Sequence, residues 1–174
     1  MLDPRSTSAA ARGFALALGI LALWAPIARG DGEGTVVYLV RHAEKMLDGG
    51  ADPPLDRRGL ERAATLAQVL QDAEITHVHS TDLLRTRRTA QPISDRLGLA
   101  IEIYDPGGLK DLASKLRSTP GRHLVSGHSN TTPEVVRLLG GDPGTPIDEA
   151  TEYDRLYVLV LGGDGTATTI LLRY

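Results

Sequence analysis

From Thr35 onward, short β-branched apolar runs alternate with stretches whose apolar positions recur at helical spacing, the sequence form of an α/β layer fold. Thr35–Val40 (TVVYLV) is continuously apolar, which predicts a strand buried on both faces of a parallel sheet. After a loop rich in Gly, Asp and Pro, Asp56 is placed to cap a helix carrying Leu60, Ala63, Ala64, Ala67 and Leu70. Ile75–Ser80 reads as a second strand. Asp82 is then expected to open a helix with Leu83, Ala90, Ile93 and Leu97 on one side, kinked or restarted at Pro92. Leu99–Ile103 predicts a third strand, Leu109–Leu116 a third helix and His123–Ser126 a fourth strand. Pro133 suits the first turn of a fourth helix that Gly140-Gly141 ends. Leu156–Leu161 and Thr166–Leu172, joined across Gly162–Gly165, predict an antiparallel pair at one sheet edge.

The pattern before Thr35 is different. Arg5 and Arg12 precede an apolar run from Phe14 to Ala28 that ends at Arg29. A basic start, one apolar stretch and small residues at its end describe a secretory signal peptide over residues 1–30, with cleavage after Gly30. The run is shorter than the roughly 20 residues of a comfortable membrane span. The expected location is periplasmic or secreted, with membrane contact only through this segment if it stays uncleaved. Residues 31–174 then form one domain.

Composition narrows the partners. The chain has 19 Lys+Arg against 22 Asp+Glu, and loss of residues 1–30 removes three arginines and one aspartate, leaving a formal charge of −5. No nucleic-acid partner is expected, because backbone phosphates require a basic surface. The absence of Cys excludes disulfides, thiolate metal sites and a Cys nucleophile.

The candidate chemistry sits where strands end. Arg41-His42 follows the first strand directly, and His128 follows the fourth by one glycine. In open α/β sheets, ligands bind outside the carboxyl ends of strands, so two such histidines face one pocket. Arg85 lies at the start of the helix after the second strand, where helix amides also favour anions. Arginine forks suit a phosphate dianion. A neutral imidazole can attack phosphorus and hold it covalently, while the arginines and the second histidine stabilise the equatorial oxygens. The scheme needs no metal or other cofactor. His77 and His79, two apart on a strand, share a face and are candidate metal ligands with no evident third; otherwise they are a polar strand face. His123 reads as structural, and Arg87 and Arg88 as solvated charges.

The stretches LVRHAEK (39–45), STDLLRTRRTA (80–90) and VSGHSNTTPE (125–134) together resemble the histidine phosphatase superfamily, the phosphoglycerate-mutase-like group, in a short form similar to bacterial phosphohistidine phosphatases. The resemblance implies a three-layer α/β/α sandwich with a mostly parallel central sheet, and a metal-independent phosphatase acting on a small phosphorylated substrate. It also implies His42 as nucleophile, Arg41 and Arg85 as phosphate ligands, and His128 completing the pocket. Many members supply an acid after the third strand. Here Asp105 is the first candidate, followed by Glu102 and Asp111, with Glu44 also possible. Two other readings stay open: phosphoglycerate-mutase-type phosphoryl transfer, and a non-catalytic phospholigand-binding module on the same fold.

Overall fold

The computed structural model describes residues 34–174; the expected signal peptide lies outside the described residues. In chain order the elements are β1 (Val36–Arg41), α1 (Arg57–Val69), β2 (His77–Ser80), α2 (Leu84–Leu97), β3 (Ile101–Ile103), α3 (Leu109–Ser118), β4 (Arg122–Gly127), α4 (Thr131–Leu138), β5 (Arg155–Leu161) and β6 (Ala167–Arg173). The strands form one sheet in the order β3-β2-β4-β1-β5-β6. β1 to β4 run parallel, while β5 and β6 are antiparallel and close one edge. The α/β class, the mostly parallel sheet and the antiparallel edge are as the apolar pattern predicts.

Alternation along the strands builds a core on each face of the sheet. Val37, Leu39, Val125, Tyr157 and Leu159 pack with Leu112 and Leu116 of α3 and Val136 of α4. Val40, Val78, Leu124 and Leu156 face the other way, onto Leu66 and Ala67 of α1 and Ala90 and Ile93 of α2. The result is the three-layer α/β/α arrangement.

Three local expectations need correction. The buried stripe of α1 runs through Gly59, Ala63, Leu66 and Ala67, and Leu60 is half exposed. The stripe is rotated because Gly59 lies against the backbone of Glu44, where a Cβ would collide with the Glu44 carbonyl. Asp56 does cap this helix, accepting from the Gly59 amide at 2.8 Å. Asp82 does not cap α2: its carboxylate accepts from Arg87 at 3.2 Å. The Leu84 amide instead donates to Asp52, at 3.0 and 3.1 Å, so a carboxylate from the preceding loop serves that helix start. Finally, α2 does not restart at Pro92 but continues through it to Leu97. Arg88, whose carbonyl loses its amide partner there, is exposed, and water can take the amide's place.

Candidate active site

β1 and β4 are neighbours in the sheet, with Arg41 opposite Gly127 in register. The His42 amide donates to the Gly127 carbonyl at 2.8 Å, carrying the ladder one residue past the strand. The topology thus delivers His42 and His128 side by side, ring centroids 5.5 Å apart and the rings at 69°. Position 127 is crowded, and a side chain there would push its neighbours aside. A Cβ there would stand 2.9 Å from Thr132 Oγ1 and from the Tyr104 hydroxyl. The next residue is pinned too, since the His128 amide donates to Thr131 Oγ1 at 2.9 Å.

The protonation of His42 follows from its surroundings. Nδ1 lies 2.8 Å from the Ala43 carbonyl, and a carbonyl can only accept. The ring hydrogen is therefore on Nδ1, leaving the lone pair on Nε2. Burial lowers the pKa to about 3, against the pull of the Ala43 carbonyl, and the positive field of Arg41, His128 and Arg85 acts in the same direction as burial. Burial, with Arg85, Arg41 and Lys45 behind it, lowers His128 to about 4, while Glu149 opposes the shift. His128 Nε2 lies 3.1 Å from Thr81 Oγ1, which also contacts Thr86 Oγ1 at 2.8 Å. The Ala43 amide donates to Thr89 Oγ1 at 2.9 Å, so the segment bearing the first histidine is tied to α2.

The two arginines are held differently. Arg41 is 2% exposed, and its Nη groups donate to three backbone carbonyls: Asp148 at 3.2 Å, Glu152 at 2.9 Å and Glu149 at 2.7 Å. Its guanidinium lies 3.9 Å from the centre of the Tyr153 ring. Arg41 Nε is buried with no partner. Arg85, in the first turn of α2, has one close carboxylate, Asp52, at 3.7 Å, and its Nε is likewise buried and unpartnered. Each arginine keeps an unspent donor.

A cavity of about 570 Å³ opens over this group, lined by His42, Lys45, Arg85 and His128 together with Pro106, Asn130 and Glu149. None of the four sequence candidates for an acid lines it. Asp105 accepts from the Gly107 amide at 2.9 Å within its own turn. Glu102 pairs with Lys115 at 2.5 Å, Asp111 lies in the first turn of α3, and Glu44 is held by Arg62 at 2.8 and 2.9 Å. Arg62 keeps the Glu44 carboxyl below its usual range against the opposing effect of burial, the wrong direction for a proton donor. Glu149 is the carboxylate that sequence reading missed, as are Tyr153 and Arg155, which anchors the same loop. The one available signal was the long unpatterned stretch between α4 and β5, rich in acidic residues.

His77 and His79 belong to a stack of three imidazoles with His123, 4.6 Å from His77 and 5.3 Å from His79. His123 Nε2 donates to the Thr119 carbonyl at 2.9 Å, so its Nδ1 accepts from His79 Nε2 at 3.0 Å. Both rings are fully buried and hydrogen-bonded to protein, not the polar strand face expected of His79. Among the described residues no group of three or more His, Cys, Asp or Glu side chains is arranged to hold a metal ion.

The comparisons fall on this same framework. Residues 37–114 match the model of the histidine phosphatase superfamily (branch 1). A Photorhabdus laumondii protein named "Probable phosphoglycerate mutase GpmB" is 34% identical over 128 residues, covering 70% of this chain and 58% of that protein. The Erwinia tasmaniensis protein of the same name is 41% identical over 76 residues, 40% of this chain and 35% of its own length. The chain thus spans between a third and three fifths of the curated relatives it matches. The protein histidine phosphatase SixA, solved with tungstate, superposes with a TM-score of 0.67 at 22% identity, over 79% of this chain and 96% of that one. The alpha-ribazole phosphatase from Shigella flexneri gives 0.61 at 16% identity, over 80% and 96%. At such identities these two likenesses are of fold. By sequence, residues 37–114, from β1 into α3, belong to the histidine phosphatase superfamily, and the likeness of fold continues through β6.

Proposed function

We propose that this protein is a phosphomonoesterase (or phosphoramidase) that works through a phosphohistidine on His42. The observation that carries this reading is the tautomer of His42: a neutral ring, hydrogen on Nδ1, with its Nε2 lone pair in a pocket of cationic side chains. A phosphate seated there would accept from Arg85 and His128 on the cavity wall, with the buried Arg41 guanidinium adding positive charge beside them. Nε2 attacks phosphorus, the alcohol leaves, and water then releases phosphate from the ring. No metal or other cofactor enters these steps. The substrate is a small phosphorylated molecule. The basic, apolar N-terminal segment supports a reaction outside the cytoplasm.

Trapping tests the covalent step. Quenching in alkaline SDS with a ³²P-labelled monoester should leave base-stable, acid-labile label on the wild-type chain and none on His42→Ala. Equal label on both would sink the proposal. The relatives named for a mutase motivate a second reading, in which phospho-His42 passes its phosphoryl group to another hydroxyl. The same experiment separates the two, because a mutase returns label to an organic product and releases little inorganic phosphate.

A further inference from the structure

The cavity over His42 is lined by strand ends and α2, by the loop before α3 and, on one wall, by Glu149 of the loop between α4 and β5. The Glu149 backbone carbonyl is gripped by Arg41 at 2.7 Å, so the same arginine that flanks the nucleophile fixes the position of this residue. Its carboxylate Oε2 accepts from Ser129 Oγ at 3.4 Å, and Oε1 stays available. Among the described residues it is the one carboxylate that lines the cavity containing His42 and His128. A second cavity, of about 470 Å³, lies directly alongside. Ser129, Asn130 and Glu149 line both, and the far side of the second is made by Pro133, Pro146 and Ile147. An ester whose phosphate sits at His42 would pass its alcohol over this shared wall.

We infer that Glu149 is the proton donor to the leaving oxygen, with the second cavity receiving the alcohol; the inference rests on the phosphohistidine reading. As His42 Nε2 forms the N–P bond, the P–O bond breaks and its electron pair goes to the leaving oxygen. That oxygen takes the proton from the Glu149 carboxyl. The products are the free alcohol, phospho-His42 and a Glu149 carboxylate. Water then attacks phosphorus and gives its proton to Glu149, while the N–P pair returns to Nε2. Protons and electrons balance with no further reactant. An acid matters most when the leaving oxygen is strongly basic, so esters of aliphatic alcohols depend on Glu149 and esters of acidic phenols scarcely do.

The test is rapid-quench measurement of alcohol release in the first turnover, with the full chain, on β-glycerophosphate and on p-nitrophenyl phosphate. Glu149→Gln should slow the aliphatic ester by about 100-fold or more and the nitrophenyl ester by only about three-fold. Glu149→Asp should recover part of the aliphatic rate. Asp105→Asn, at the position the family pattern favours, should show no such dependence on the leaving group. Equal losses on the two esters, no loss on either, or a graded loss in Asp105→Asn would overturn the assignment. Labelling of His42 is read in the same quench. Absence of phospho-His42 in the wild type would fail the covalent reading itself, a result distinct from any difference between the variants.

Discussion

A histidine in water would be about half protonated near pH 6.5, yet His42 is held neutral well below that. Burial removes the water that would solvate an imidazolium, and neighbouring positive charge adds to the cost. The sign is clear: a lowered pKa extends the nucleophilic form toward acid. The acid limb of kcat/KM, corrected for ionisation of the substrate, should therefore fall at or below about pH 5. A limb at pH 6 to 7 that disappears in a His42 variant would contradict it. His42, Arg41, Arg85 and His128 were legible because each directly follows or precedes an element that the apolar pattern marks. What those residues bond was not. Arg41 reads as a phosphate fork, but its Nη groups are spent on the carbonyls of residues 148, 149 and 152, and backbone carbonyls have no sequence signature.

Elements were read well where periodicity was strong and poorly where one contact outweighed it. The four parallel strands and the β5–β6 pair were found to within a few residues. The start of α2 was misplaced because its carboxylate comes from Asp52, in a loop thirty-two positions earlier. The loop from α4 to β5 carries no period at all, yet it is fastened at a second point. Arg155, 4% exposed, reaches Glu152 at 2.7 and 2.8 Å, the Thr145 carbonyl at 2.7 Å and the Tyr157 hydroxyl at 2.9 Å. Hydrogen bonding by Arg155 outweighs desolvation and holds the Glu152 carboxyl down at about 2. Replacing Arg155 by Met takes a donor from that carbonyl, that hydroxyl and that carboxylate, though Arg173 still meets Glu152 at 2.7 Å. Urea unfolding should show a loss of about 3 kcal/mol. Limited proteolysis should cut first between residues 142 and 152; a variant as stable and as resistant as wild type would show the tether to be dispensable.

At the scale of the whole chain, the N-terminal segment and the folded domain make separate claims. Residues 34–174 contain the whole candidate site. If the segment before it is a cleaved signal, protein recovered from outside the cytoplasm should begin at Asp31, as read by N-terminal sequencing. Recovery of the intact Met1 form in the cytoplasm would contradict export, and recovery of that form in the membrane would point to an anchor.

The strand order has a consequence for synthesis. β4 lies between β1 and β2, although it is made after both. Until residues 122–127 join them, β1 and β2 each keep an open edge on the side that β4 occupies in the folded sheet. Closing that gap requires pairings between segments far apart in the chain, which form slowly. The strand that fills it also carries His128 to His42. The folding chain thus gains the second histidine of the pocket as the gap between β1 and β2 closes, while the other edge of β1 waits for β5.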